Sequence, residues 1–479
     1  MNSSRILKNL AALVGSKIVG DFFLFILFVT ISRKYGQEGI GVYSFAIAIT
    51  GYIAVISDWG LYNNTIKRLS TSASSESFRY DIGIIISTRL ILVVCATLML
   101  YLLSLLVPGD KTLTLALLIV GFFQIITRFH SGVFAIFISQ DDMPLASLLE
   151  ACLKLFNVSF CLLVIFSGAE LILALISLVI TSLLYVGTVL YYLRKKYRAA
   201  TIKFNLRKSY FILKESTHNA FASLLFQISS RLDVILLGLF LGPASAGIYN
   251  VAYRIIFMLQ FLPHQISITI FPSISKVYLE NPSKLPEFFA QGLNYLVLIA
   301  TPIALGLALI SLELITLVFG SEFDGSIVIL QLLSILLFLM FFTHFFSMFL
   351  MSCNLEKARM RGYAICLVVS LITNLILIPL FGTIGAAISV IITEVILISY
   401  FWIKLSHFAH TKDISKRAFF AIMGGIALVI ITEYLNLEEI MFKVPAAILI
   451  YVLVVSSCRD IRQNELALIF SRLVKLIRK

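Results

Sequence analysis

Residues 194–214 read RKKYRAATIKFNLRKSYFILK, and eight of them are basic: Arg194, Lys195, Lys196, Arg198, Lys203, Arg207, Lys208 and Lys214. Mostly apolar sequence precedes this stretch, and a second long apolar tract follows it. Basic loops resist translocation, so a Lys/Arg-rich segment between two apolar tracts marks the cytoplasmic side of a membrane protein. The stretch therefore reads as a linker between two membrane-embedded halves. That places an N-lobe at 1–193, the basic linker at 194–216, a C-lobe at 217–404, and an additional segment at 405–479.

The composition agrees. Of 479 residues, 60% are hydrophobic and only 13% charged, and the mean hydropathy is +1.00. An ordinary soluble protein carries about 25% charged residues. A helix needs about 20 apolar residues to cross the hydrocarbon core, and the alternation of barrel strands is absent, which leaves a helical bundle. The fold class is all-α and polytopic, with fourteen expected spans: 10–31, 40–61, 82–107, 112–138, 144–167, 170–193, 217–241, 246–271, 289–318, 326–351, 362–380, 384–403, 417–435 and 444–457.

The basic residues test this map. With the N-terminus inside, and with Arg417 at the very start of the thirteenth span counted as cytoplasmic, 28 of the 38 Lys and Arg residues fall on cytoplasmic segments, four on external ones (Arg33, Lys34, Lys111, Lys443) and six within spans (Lys17, Arg89, Arg128, Lys154, Arg231, Arg254). Both termini are expected to be cytoplasmic. The net charge of +13 then follows from topology and attraction to anionic inner-leaflet lipid, with no nucleic-acid partner. The basic tail (Arg459, Arg462, Arg472, Lys475, Arg478, Lys479) is interleaved with Leu and Ile, as in a helix lying on that leaflet. The first apolar segment exceeds a signal-peptide core and lacks a small-residue cleavage pattern, so it is expected to be retained. Cys95, Cys152, Cys161, Cys353, Cys366 and Cys458 are scattered without a CxxC pair, which suggests neither a disulfide framework nor a metal site.

The chain also echoes itself. After the first span comes Tyr35-Gly36-Gln37-Glu38-Gly39-Ile40-Gly41-Val42-Tyr43-Ser44-Phe45-Ala46, and after the seventh comes Leu241-Gly242-Pro243-Ala244-Ser245-Ala246-Gly247-Ile248-Tyr249-Asn250-Val251-Ala252. At one fixed offset Gly36 matches Gly242, Gly41 matches Gly247, Tyr43 matches Tyr249 and Ala46 matches Ala252. Each copy reads as a tight turn whose first Gly ends a helix in a left-handed cap and whose second lets the next helix start close by. An even number of spans separates the copies, so the repeat is parallel, about an axis along the membrane normal. Two six-helix lobes around a central cavity are the expected architecture.

With the YGQEGIGVYSFA turn in place, Ile6-Leu7-Lys8-Asn9 before the first span and Asp58-Trp59-Gly60-Leu61 closing the second make the chain resemble the polysaccharide transporter family. That family belongs to the multidrug/oligosaccharidyl-lipid/polysaccharide exporter superfamily. Phe271-Pro272, Asn374-Leu375-Ile376-Leu377-Ile378-Pro379 and Gly382-Thr383-Ile384-Gly385-Ala386-Ala387 extend the resemblance to about residue 403. It implies a secondary transporter of the bacterial cytoplasmic (inner) membrane that flips undecaprenyl-diphosphate-linked oligosaccharide repeat units for O-antigen, capsule or exopolysaccharide assembly. It also implies alternating access, a coupling ion (H+ or Na+) in place of a bound cofactor, and polysaccharide polymerase machinery as a partner. A multidrug exporter of the same superfamily is the nearest competing reading, and a membrane glycosyltransferase or polymerase is the competitor from another class. Short external loops count against an enzyme, whose catalytic acids would sit on long ones.

Function is expected where ionisable side chains lie at membrane depth, because their burial is costly. By the resemblance, the first two helices of each lobe line the cavity, which singles out Lys17, Asp21, Asp58, Arg231, Asp233 and Arg254. Lys17, Arg231 and Arg254, joined by Arg89 and Arg128, are the expected cations for a diphosphate. Guanidinium groups suit phosphate because they fork onto its oxygens. Asp21, Asp58 and Asp233 are expected to couple transport to an ion or to balance charge. Lys17 and Asp21 are four apart and share a helix face, as do Glu150 and Lys154, the latter read as a structural pair. Arg89 and Arg128 serve either the cavity or the bracing of helices, and Glu313 and Glu394 sit near span ends. His130 and His344 have no partner at metal-ligand spacing, and Pro263 and Pro302 are expected to kink their spans. No GxxxxGK[ST], HExxH or GxSxG motif is present, so neither ATP hydrolysis nor hydrolase chemistry is indicated.

Overall fold

The structure, a computed structural model, describes residues 3–70, 75–106, 111–140, 142–197 and 203–408, with Met423, Gly425 and Tyr451 beyond them. Those three apart, the expected spans at 417–435 and 444–457 and the basic tail lie outside the described residues. All regular structure among the described residues is helical. The elements are α1 (Ser3–Asp58), α2 (Leu61–Ser70), α3 (Ser75–Leu106), α4 (Lys111–Ser139), α5 (Met143–Phe166), α6 (Leu171–Tyr197), α7 (Leu206–Leu241), α8 (Pro243–Leu259), α9 (Phe261–Glu280), α10 (Leu285–Leu309), α11 (Ser311–Val318), α12 (Gly325–Ser352) and α13 (Glu356–Leu405).

Nine stretches among the described residues are long and apolar enough to cross a membrane. Two of them, Val19–Ser70 and Glu356–Leu405, run to 52 and 50 residues, and a helix rises about 1.5 Å per residue. Each is roughly twice what one crossing takes, so each holds two expected spans, and a glycine turns the chain between them. Gly36 breaks α1 at φ 66°, ψ −165°, and Gly382 breaks α13 at φ 62°, ψ −136°. Gly242 after α7 adopts φ 84°, ψ 170°, close to the conformation of Gly36. The first glycines of the two matched turns thus occupy a region open almost only to glycine.

Two expected spans differ from a single helix. The span at 246–271 is interrupted at Gln260, between α8 and α9. Pro263 lacks an N–H and its ring crowds the carbonyl four residues back, at Leu259, where α8 stops. The span at 289–318 is interrupted at Ile310, between α10 and α11. Pro302, by contrast, lies inside the continuous α10.

The chain forms two compact units, Met1–Asn250 and Val251–Lys479. In the first, α7 packs along the second half of α1. Phe45 lies against Gly238, Gln227 against Gly51, and the backbone of Asn219 and Ala220 against Gly60. At the end of this seam the second glycines of the two matched turns meet. A Cβ on Gly41 would strike the Pro243 carbonyl, and one on Gly247 would come within 2.5 Å of the Gln37 carbonyl and 2.9 Å of Gly41 N. Backbone is apposed to backbone there, which explains why neither position carries a side chain.

The second unit has an aromatic centre. Phe289 of α10 packs edge to face on Phe349 at 4.9 Å between centroids, beside Phe345 and Phe346 of α12. Trp402 of α13 closes the cluster at 6.0 Å from Phe289. Such pairs add about 0.5–1.5 kcal/mol each beyond their buried area.

Candidate functional site

Asp21 lies in the middle of the first expected span, and Glu150 and Lys154 lie within the fifth. The structure brings all three together: Lys154 Nζ is 3.5 Å from Asp21 Oδ1 and 3.3 Å from Glu150 Oε1. Gly20 makes this possible, because the Lys154 stem occupies the volume a Cβ there would need. The side chains are 43% (Asp21), 47% (Glu150) and 22% (Lys154) exposed. Carboxylates at this depth are tolerated where they face a bundle interior or water. The triad is a polar, partly exposed cluster inside the expected span region, with an ammonium shared by two acids. Lys17 belongs to α1, one turn before Asp21, and its side chain lies outside the described residues.

A second ionic contact lies in the same unit. Asp58, the last residue of α1, accepts a 2.8 Å bond from Arg89 Nη1 on α3. Arg89 is 1% exposed, and its guanidinium rests on Gly132 of α4, where any Cβ would collide with it. Arg89 Nε and Nη2 have no hydrogen-bond partner among the described residues. Of the two roles the sequence allows Arg89, this geometry favours bracing α1, α3 and α4. Trp59 and Gly60 follow with positive φ, turning the chain into α2, and Tyr62 then lies near both Asp58 and Glu150. Tyr62 stands outside the expected spans, and burial, with those carboxylates, pushes its phenol above the usual range.

The α1–α7 seam carries the third polar group. Asp233 is buried and accepts bonds from Tyr249 Oη at 2.6 Å and its neighbour's amide, Val234 N, at 2.8 Å. Tyr249, quoted above as a turn residue, thus fixes a carboxylate on the preceding helix. Tyr52 of α1 sits beside both Asp233 and Arg231. Arg231 is half-buried and forms no ion pair within 4 Å among the described residues. Gln124 of α4 donates to Thr50 Oγ1 at 2.6 Å and to the Ile47 carbonyl at 3.1 Å. Arg128, on the same helix, is exposed.

The second unit holds the remaining residues. Arg254 on α8 is half-buried with its guanidinium 5.7 Å from the Phe257 ring centre. Glu394 of α13 lies within hydrogen-bond reach of Thr343 on α12, near Tyr363, which contacts Ser347 at 3.2 Å. His344 bonds the Met340 carbonyl at 2.8 Å and meets His264 edge to face at 5.8 Å. No group of three or more His, Cys, Asp or Glu side chains among the described residues is placed to hold a metal. Glu313 lies in the first turn of α11.

Sequence spacing found the Glu150–Lys154 pair but not its third member, because a contact between the first and fifth spans depends on helix rotation. The signal for it is Gly20, a residue with no side chain directly before a mid-span acid. The bonds of Tyr249 to Asp233 and of Gln124 to Thr50 are equally hidden, since nothing local in sequence ties these residues together.

Comparison with known proteins places this architecture. A family model described as polysaccharide biosynthesis protein matches residues 6–278, more than half of the chain. The "Probable low-salt glycan biosynthesis flippase Agl15" of Haloferax volcanii is 24% identical over 389 residues, covering 78% of each protein. The "Capsular polysaccharide biosynthesis protein CapF" of Staphylococcus aureus is 24% identical over 409 residues, covering 82% of this chain and 98% of that one. Among solved structures, lipid II flippase MurJ in an inward closed conformation superposes with a TM-score of 0.76 at 16% identity, over 94% of this chain and 98% of that one. A multidrug resistance MATE family transporter of the MOP superfamily follows with a TM-score of 0.64 at 13% identity, over 82% and 96%. A polytopic helical chain with charged groups at mid-span depth, this protein belongs to the polysaccharide biosynthesis protein family.

Proposed function

We propose that this protein is a flippase that carries a lipid-linked oligosaccharide, joined to its polyprenyl chain through a diphosphate, between the leaflets of the bacterial cytoplasmic membrane. The observation that carries the reading is the Asp21–Lys154–Glu150 triad, an ammonium held by two carboxylates within the expected spans, all three side chains partly exposed. A diphosphate cannot enter hydrocarbon without a counter-charge. Lys154 supplies one when it leaves its two acids, and they take it back when the substrate departs. A cation that neutralises Asp21 and Glu150 would free Lys154, which gives a coupling ion, H+ or Na+, a direct part in the cycle. Arg231 and Arg254 are further candidate cations for the substrate, each in its own unit, and the polyprenyl chain stays in lipid. Transport rather than catalysis is also in keeping with the flippase relative, and a surface-polysaccharide end product with the capsular one. Polymerase machinery is the expected partner on the product side.

The test is transport of a lipid-linked oligosaccharide in proteoliposomes by Lys154→Gln and Lys154→Arg variants. Losing one charge-assisted contact of about 1.5–3 kcal/mol predicts a fall of roughly tenfold or more for Lys154→Gln, with most activity kept by Lys154→Arg. Unchanged transport by correctly folded Lys154→Gln removes the triad from the mechanism.

A further inference from the structure

Apart from the polar groups, the first unit carries a cavity of about 480 Å³ between α3, α4 and α6. Its wall is almost wholly hydrocarbon, with Leu90, Val93, Ile126, Leu183 and Leu190 among the lining residues, and Arg194 also lines it. No residue of α1 or α5 lines it, so it is separate from the ion triad. Gly187 lies in the middle of the α6 wall, and a Cβ placed there meets nothing within 4 Å. The space is therefore open, not filled by a neighbouring side chain.

Its length and its charged end identify what fits. From Leu183 to Arg194 α6 advances by roughly 16 Å at its ordinary rise, about half the ~30 Å hydrocarbon core. The groove is one leaflet deep. Arg194 is exposed and has no ion pair within 4 Å among the described residues, whereas Lys196 is engaged by Asp142 at 2.7 Å. A free guanidinium at the polar end of a one-leaflet apolar groove complements a phosphate above an acyl chain, because guanidinium forks onto phosphate oxygens. A long polyprenyl chain would exceed a groove of one leaflet's depth.

We propose that this groove binds one acyl chain of an anionic phospholipid from the leaflet facing the basic segments, with Arg194 holding its phosphate. The lipid is then a resident part of the α3–α4–α6 packing, independent of the transported substrate.

Native mass spectrometry of the full-length protein, delipidated and then offered phosphatidylglycerol, phosphatidylcholine of the same acyl chains, or a polyprenyl phosphate, tests this. Wild type is expected to retain one phosphatidylglycerol roughly fivefold more than phosphatidylcholine, the factor one basic side chain is worth at an anionic surface. Arg194→Gln abolishes that preference and Arg194→Lys restores it. Gly187→Trp fills the groove and lowers retention roughly tenfold, the equivalent of about two buried methylenes; unchanged unfolding without added lipid shows that this variant is folded. Equal retention of the two phospholipids by wild type, preferential retention of the polyprenyl phosphate, or full retention by folded Gly187→Trp overturns the assignment.

Discussion

Arg89 and Asp58 are enclosed together, so removing either one strands the other's charge in a low-dielectric interior. Breaking such a pair costs about 3–5 kcal/mol, whereas replacing both partners with apolar groups is often neutral. Asp58→Ala is expected to lower the thermal unfolding temperature sharply, and Arg89→Met combined with Asp58→Leu to recover most of the loss. Equal stability of Asp58→Ala and wild type would mean that the 2.8 Å contact contributes nothing. At this scale the sequence was partly legible: it named every charged residue of the three polar groups, because mid-span charges stand out against apolar surroundings. It did not give the pairings. The i,i+4 rule links Glu150 to Lys154, but Asp21–Lys154, Asp58–Arg89 and Asp233–Tyr249 join residues 133, 31 and 16 positions apart, and only helix rotation and packing bring them together.

At the scale of elements, the α1–α7 seam is held by absent side chains. Gly41→Ala pushes a Cβ into the Pro243 carbonyl, and since backbone cannot swing aside, overpacking of about 1–3 kcal/mol follows. Gly187→Ala meets open space and gains about 0.5–1 kcal/mol from the glycine it removes. Unfolding temperatures of the two variants should therefore move in opposite directions. The end of α6, beyond its expected span, is anchored differently. The Tyr197 hydroxyl donates to Asp142, which also holds Lys196. Burial first, then the bond and charge of Asp142, push the Tyr197 phenol well above its usual value. A raised acid is favoured in its neutral form by folding, so this contribution is complete below about pH 10, the ordinary phenol value, and is lost as pH rises past it. Stability of wild type should fall above that pH, and Tyr197→Phe should be less stable at neutral pH but flatter through the alkaline range. The turn glycines were readable in sequence because glycine conformation is local chemistry. The breaks at Gln260 and Ile310 were not placed, although Pro263 pointed to the first.

For the whole molecule, the alternation of basic and apolar segments is enough to give the fold class, since hydrocarbon admits little besides helices and closed barrels. The structural likeness over 94% of the chain persists at 16% identity, which is what a fold set by span length and turn position allows. Substrate and coupling are finer matters, resting on a few charged groups. If protons drive the cycle through the triad, Asp21→Asn with Glu150→Gln should remove the dependence of transport on an imposed pH gradient while Lys154 stays in place; a dependence equal to that of wild type would move the coupling elsewhere. Everything above depends on transport itself. It is tested most directly in proteoliposomes carrying a lipid-linked oligosaccharide, by measuring the fraction cleaved by a glycosidase that cannot cross the membrane. Vesicles with the protein are expected to expose the whole pool to the enzyme while protein-free vesicles expose only their outer leaflet. Equal cleavage in the two would contradict it.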